Sequence, residues 1–409
     1  MLLAAVPGRL WAQAPAEPSS YGAAADTFQP TLDVGDLWRD VRHWRVGQDA
    51  EMPGTDAPVP NRFVVAAPSI TAKPSTGLTA GFNSNVAFFG GDPHTTHISS
   101  LVAGVKVSQK EQVLSGLRFS IFTSGDRWLI VGDNRFSKTS SDVFGAGIDP
   151  PVGGENLRYD AIRLYETAYR TVRPHLFAGG GINVTTHSNT GPADGLLPAF
   201  NQSAYVAYSQ QHGFSTSGQT SSGVSAGVLL DTRDNAINAE HGWLASVTYR
   251  DFIGGFFGGD ASWQQLYVDV RTYRPLTRSG RQKLAFWFLS DNVLAGVAPY
   301  LDLPSTGSDG RSARGYTDGR YRGDHLVYGE VEYRSALTRN GLLGFVVFAN
   351  TTTVDDPSEG QKLFSSFAPA GGTGLRVLMN KRSRTNLAAD YGWGRDGSRG
   401  LYLGIQEAF

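Results

Sequence analysis

From Arg62 to its last residue the sequence hardly leaves a period of two, and few features narrow a fold so far. "VYGEVEYRSAL" sets Val327, Val331, Tyr333 and Leu337 on one face of a strand and Tyr328, Glu330, Glu332 and Arg334 on the other. "QQLYVDVRTY" places Leu266, Val268 and Val270 opposite Tyr267, Asp269 and Arg271, and Leu401, Leu403, Ile405 and Phe409 share a face at the carboxyl end. A soluble sandwich turns its apolar face inward and wets the charged one. In a membrane barrel the assignment inverts, so that apolar side chains meet lipid and charges line the lumen.

The connections favour the barrel over a soluble all-β array. Fifteen segments between residues 76 and 409 read as strands, and 62–67 makes sixteen, an even number as bacterial outer-membrane barrels require. Tight turns such as "SGD", "TRNG" and "NKRS" alternate with the long segments 137–155, 187–220, 294–324 and 351–370. That asymmetry predicts short periplasmic turns and long outer loops. No run approaches about 18 apolar residues, so no membrane-spanning helix is expected, whereas a barrel strand needs only about 10 alternating ones. A net charge of −1 gives no reason to expect nucleic acid as a partner, and the absence of cysteine excludes disulfides, thiolate zinc and cysteine nucleophiles.

The amino terminus points to export. "MLLAAVPGRLWAQAPAEP" carries a short apolar run and a small-x-small cleavage signature at Ala12, Gln13 and Ala14, so 1–14 reads as the remnant of a signal peptide. It lacks a basic first region, which places the expected true start upstream. Residues 15–61, rich in Pro, Ala, Asp and Gly, read as a periplasmic linker, and 62–409 as the barrel. Within the linker, "DLWRDVRHW" predicts one short amphipathic helix after an Asp36 cap, with Leu37, Val41 and Trp44 on one face.

"GSDGRSARGYTDGRYRGD", residues 307–324, is the longest charged connection, with five glycines and four arginines. In water it is a solvated surface. Folded into the lumen, Arg314 can grip an inward carboxylate bidentately, and parity nominates Asp269, Glu330, Glu332 and Asp390. Gly315 permits a tight bend and Tyr316 a wedge.

"ARGYTDGRYRG" followed by "VYGEVEYR" resembles the Arg-Gly-Tyr loop and next strand of the bacterial surface antigen (D15-type) family, the BamA/TamA superfamily of outer-membrane assembly barrels. "LLDTRDNAINAEHGW" resembles its strand-end motif, here Asp231, Arg233 and Asp234; "TGLTAGF" resembles its opening strand. "LYLGIQEAF" resembles its closing strand, with Phe409 as the assembly signal. The resemblance covers roughly 62–409. It implies protein insertion or translocation at a weak seam between first and last strands, with membrane lipids, unfolded outer-membrane clients or a periplasmic partner as partners. It implies no cofactor and no catalytic residue. Two departures matter. Residues 15–61 are too short for a periplasmic POTRA domain, and "FANTT" puts Asn350 and Thr352 where the family has Asp and Gly. A passive porin or a surface antigen without insertase activity remains the alternative.

Enzyme signatures are weak. His94 and His97 in "DPHTTH" lack a third metal ligand, and "GGGIN" (residues 179–183) lacks the Lys and Ser/Thr of a phosphate loop and reads as a closely packed strand. The adhesion-like "RGD" at Arg322–Asp324 lies inside the family motif and reads as coincidence.

Overall fold

The computed structural model describes residues 31–37, 62–73, 77–150, 154–193, 195, 197–357 and 359–409. The expected leader, and the linker apart from 31–37, lie outside them. Sixteen strands form one antiparallel sheet in sequence order, from β1 (Arg62–Lys73) to β16 (Arg399–Ile405), and β16 returns beside β1. The fold is an all-β transmembrane barrel.

Its surface is inside out relative to a soluble protein. Val105, Leu164, Ile182, Val247, Phe288, Val347 and Leu375 stand exposed on the outer face, while Asp269, Glu330, Glu332, Arg334, Arg376 and Asp390 are buried within. So large an apolar belt is incompatible with water and matches hydrocarbon. Trp128 and Trp243 at one rim and Trp393 at the other are exposed at the belt's edges, where an indole sits between lipid and water.

Several strands run farther than alternation predicts. In β5 (Trp128–Val143) the polar run "SKTSSDV" has no apolar face, yet its ladder to β6 (Glu155–Arg173) continues through Lys138↔Asp160 and Asp142↔Asn156. Strand pairing there rises beyond the lipid, so both faces can be polar. The glycines of "GGGIN" lie in β7 (Leu176–Pro192), where a Cβ on Gly181 would stand 2.0 Å from the Glu166 carbonyl oxygen. The long segment after β7 is not all loop. It carries helices Leu197–Asn201 and Ala204–His212, the second capped by Ser203, whose hydroxyl accepts the Val206 N–H at 3.2 Å, and ended by Gly213 at φ 75°.

Residues 34–37 are helical, but the cap is Asp33 and not Asp36. Asp33 Oδ1 accepts the Asp36 N–H at 2.8 Å and Asp36 Oδ2 accepts the Asp33 N–H at 3.0 Å, a reciprocal box that starts the helix earlier. Lys381, in the turn between β14 (Ala368–Asn380) and β15 (Thr385–Trp393), donates its backbone N–H to Asp33 and its ammonium to Asp36. This segment is thereby docked on the short β14–β15 turn.

Closure is of a different kind from the other contacts. Every consecutive pair of strands has a hydrogen-bonded register; among the described residues β1 and β16 have none. Val65 and Ala67, on the inward row of β1 opposite Asn85 and Asn83, pack with Ile405 and with Leu387 on the outward row of β15. An inward face against an outward face means that the end of β16 tucks beneath β1. The joint is side-chain packing where a ladder would be.

Beyond Ile405 the chain leaves the sheet. Gln406 takes φ 81°, and residues 406–409 turn into the lumen. Phe409 therefore does not share the outward face of Leu401 and Leu403. It is buried against Tyr273 and Trp287, and its carbonyl accepts from Arg334 at 2.9 Å. Glu407, which parity sets on the apolar face, is turned inward onto Arg376 at 2.7 Å, where its charge is balanced.

Candidate functional site

The long loop after β11 (Gln282–Gly296) folds into the barrel. β12 (His325–Ala336) follows it and presents Tyr328, Glu330, Glu332 and Arg334 inward in alternate positions, because its outward residues Val327, Val331 and Tyr333 meet lipid. Arg314, 3% exposed, donates to Asp390 at 2.5 Å and through Nη2 to both Glu330 and Glu332. Its guanidinium lies 3.8 Å from the ring centroid of Phe348 in β13 (Leu343–Val354). Asn350 donates its amide to the Arg314 carbonyl at 3.0 Å. Here an aspartate has no role to fill, since the acceptor is a backbone oxygen and the charge partners are supplied by β12 and β15.

Gly315 takes φ 111°, and a Cβ there would meet Ala370 at 2.9 Å and the Trp393 carbonyl at 3.1 Å. Its N–H donates to the Tyr402 hydroxyl at 2.9 Å, and Tyr316 donates to the Pro369 carbonyl at 2.5 Å. The Arg-Gly-Tyr segment is thus fastened to β12 through β16. The loop's other end reaches across the lumen: Arg135 donates to the carbonyls of Ser308 and Asp309 at 2.9 and 2.8 Å, Arg163 to Ser308 at 3.1 Å and Arg118 to Asp309 at 3.3 Å. Asp269 takes no part in the Arg314 cluster. Arg271, two residues on along the same row, holds it through both oxygens at 2.8 and 2.6 Å, and Trp287 donates to it at 2.9 Å.

Asp231, Arg233 and Asp234 build a second closure, at the periplasmic mouth. Asp231 ends β8 (Gln219–Asp231) and is gripped bidentately by Arg233 at 2.9 and 2.7 Å. Asp234 accepts the N–H groups of Glu240 and His241 at 2.8 and 3.0 Å and is bonded by Arg384 from the β14–β15 turn. Burial alone raises its carboxyl, but the His241 N–H, the Arg384 guanidinium and the Glu240 N–H outweigh it and hold the group below the usual range. Ile237 from the same loop packs on Phe63, Ala87 and Ile98, side chains of the first three strands. Parity could not have found Ile237; a lone isoleucine in a polar turn is the one signal.

Among the described residues no cluster of His, Cys, Asp or Glu suits a metal ion. His97 faces Asp126 at 2.5 Å and His94 is exposed. The RGD tripeptide is inaccessible at its arginine, which is buried and bonded to the Tyr300 carbonyl.

Residues 170–409 match the Omp85 superfamily domain. Among solved structures, a BamA from Haemophilus ducreyi lacking POTRA domains 1–3 aligns at 12% identity and TM-score 0.54, covering 85% of this chain and 69% of that one. CdiB from Acinetobacter baumannii aligns at 14% and 0.52, over 84% and 59%; CdiB from Escherichia coli at 12% and 0.55, over 86% and 63%. This chain thus spans less than two thirds of either CdiB. No curated protein matches it in sequence.

Proposed function

The chain belongs to the Omp85 superfamily and is a barrel of the bacterial outer membrane, and on that premise we propose that it inserts or translocates proteins there through the seam between β1 and β16. The unladdered joint carries the reading. Strand edges that lack a partner present free N–H and C=O groups, and a client hairpin can pair with them by β-augmentation before its own backbone meets lipid. β16, with 7 residues, is the shortest of the sixteen strands, and a short strand beside the seam favours a locally thinner bilayer, which lowers the barrier further.

The inward loop supports this reading over a passive porin. Arg314, Gly315 and Tyr316 brace the seam's carboxyl-terminal side, and the loop crosses the space a pore needs. The partners are membrane lipids and unfolded outer-membrane proteins or a periplasmic protein that delivers them; no step is catalytic in the covalent sense.

The test is the folding rate of an unfolded outer-membrane barrel into liposomes holding this protein, beside liposomes holding a Val65→Cys/Ile405→Cys variant, oxidised or reduced. The chain has no cysteine of its own. Acceleration that vanishes on oxidation and returns on reduction is expected. An unaccelerated rate with folded protein abandons autonomous insertion and leaves the porin or a partner-dependent factor.

A further inference from the structure

A cavity of about 370 Å³ lies in the lumen between the tip of the inward loop and the inner walls of the strands from Ile98–Ser108 through β11. Seven arginines and six aspartates line it, so its wall carries one positive charge in excess. The pairing is uneven. Three of the aspartates are consumed by the arginine two residues along their own chain: Asp133 by Arg135, Asp231 by Arg233 and Asp269 by Arg271. Arg118 and Arg163 reach only loop carbonyls, which satisfy a hydrogen bond without neutralising a charge.

Arg311, on the loop itself, has less. Its backbone N–H donates to Asp309 Oδ1 at 2.8 Å, but its guanidinium makes no hydrogen bond or ion pair among the described residues. Asp309 makes no ion pair with the Arg311 guanidinium: Oδ1 accepts the N–H groups of Arg311 and Ser312, and Oδ2 is buried without a partner. The charges bearing most on Arg311 are Arg118 and Arg271, both repulsive, ahead of Asp309 and Asp133. Water can fill the hydrogen bonds of such a site; it cannot supply the missing negative charge.

We propose that this lumenal cavity binds one small oxyanion, of the inorganic phosphate class, between Arg311 and Arg118. A guanidinium fork matches two oxygens of such an ion, and the cavity exceeds its volume. The site does not depend on insertase activity; it makes the loop's seat in the barrel responsive to an anion, because one ligand is on the loop and the other on the wall.

Isothermal titration of inorganic phosphate into the detergent-solubilised chain at low ionic strength tests it. One saturable site is expected, weakened about tenfold or more by Arg311→Gln, the factor a lost charge-assisted hydrogen bond implies. Arg118→Gln should weaken it in the same direction, Arg311→Lys should retain part of it, and Arg339→Gln, on an exposed turn, should leave it unchanged. Heat-modifiable gel mobility confirms that each variant is folded. Absence of saturable binding, or equal affinity in wild type, Arg311→Gln and Arg118→Gln, overturns the proposal.

Discussion

Replacing Arg314 by Met keeps an unbranched side chain over Phe348 and removes the charge. Three arginines, Arg314, Arg334 and Arg376, face four carboxylates, Glu330, Glu332, Asp390 and Glu407, in the intact cluster. After the change Glu332 keeps Arg334 at 2.5 Å and Asp390 keeps Arg376 at 2.5 Å. Glu330 keeps only the Tyr328 hydroxyl. The damage therefore concentrates on one carboxylate. Removing one member of a buried pair costs about 3–5 kcal/mol, or two to almost four orders of magnitude in the folding equilibrium. Urea titration of the lipid-embedded protein, followed by heat-modifiable mobility and tryptophan fluorescence, measures it. Adding Glu330→Gln should recover a large part, with a coupling above about 1 kcal/mol in the double-mutant cycle. A cost for Arg314→Met that is the same with and without Glu330→Gln refutes the reasoning, since the stranded charge would then not be its source.

Three other perturbations follow from the geometry. The hydrogen bond from His97 to Asp126 raises the His97 pKa above 6.5, against burial and with help from Asp231. The stability it contributes is full below about pH 6.5 and lost as pH rises through the raised folded value. His97→Gln should flatten that slope in urea midpoints taken from pH 5 to 9; an unaltered slope rejects the assignment. Gly181→Val should abolish the folded band in gels, because the Glu166 carbonyl occupies the space of a Cβ and a register shift would turn an entire face the wrong way; wild-type mobility and stability would contradict this. Arg384→Ala should raise the labelling rate of an Ile237→Cys thiol several-fold, the order set by a partly exposed ion pair of about 1 kcal/mol. Unchanged labelling would mean that the periplasmic loop is held by packing alone.

Parity is a local rule, and it served wherever the strand stayed regular. Glu330, Glu332 and Asp390 fall on inward rows by counting alone, and the Arg314 guanidinium lies among them. Asp269 has the same parity, but its nearest cation is Arg271 on its own row, a competition that counting inward positions does not weigh. Phe409 and Glu407 escaped because the count assumes an unbroken strand, and the left-handed φ at Gln406 breaks it. Residues 137–143 of β5 read as part of a long connection because alternation vanishes where both faces meet water. The periplasmic plug was hidden for another reason: Ile237 meets residues more than a hundred positions away, and no sequence period encodes such a contact.

The order of the strands has a kinetic consequence. Each strand pairs with the one before it, so all fifteen ladders are joined by connections within the chain's immediate neighbourhood, and their closure entropy grows only slowly with the lengths of those connections. The meeting of β1 with β16 alone spans the whole domain, and in any barrel it is the step with the highest contact order. Here that step ends in a patch of interlocking Val, Ala and Ile side chains, with no register to be searched. The barrel can thus finish assembling while its two terminal strands keep their backbone valence open, and the slowest pairing of an ordinary barrel is one that this fold does not have to complete.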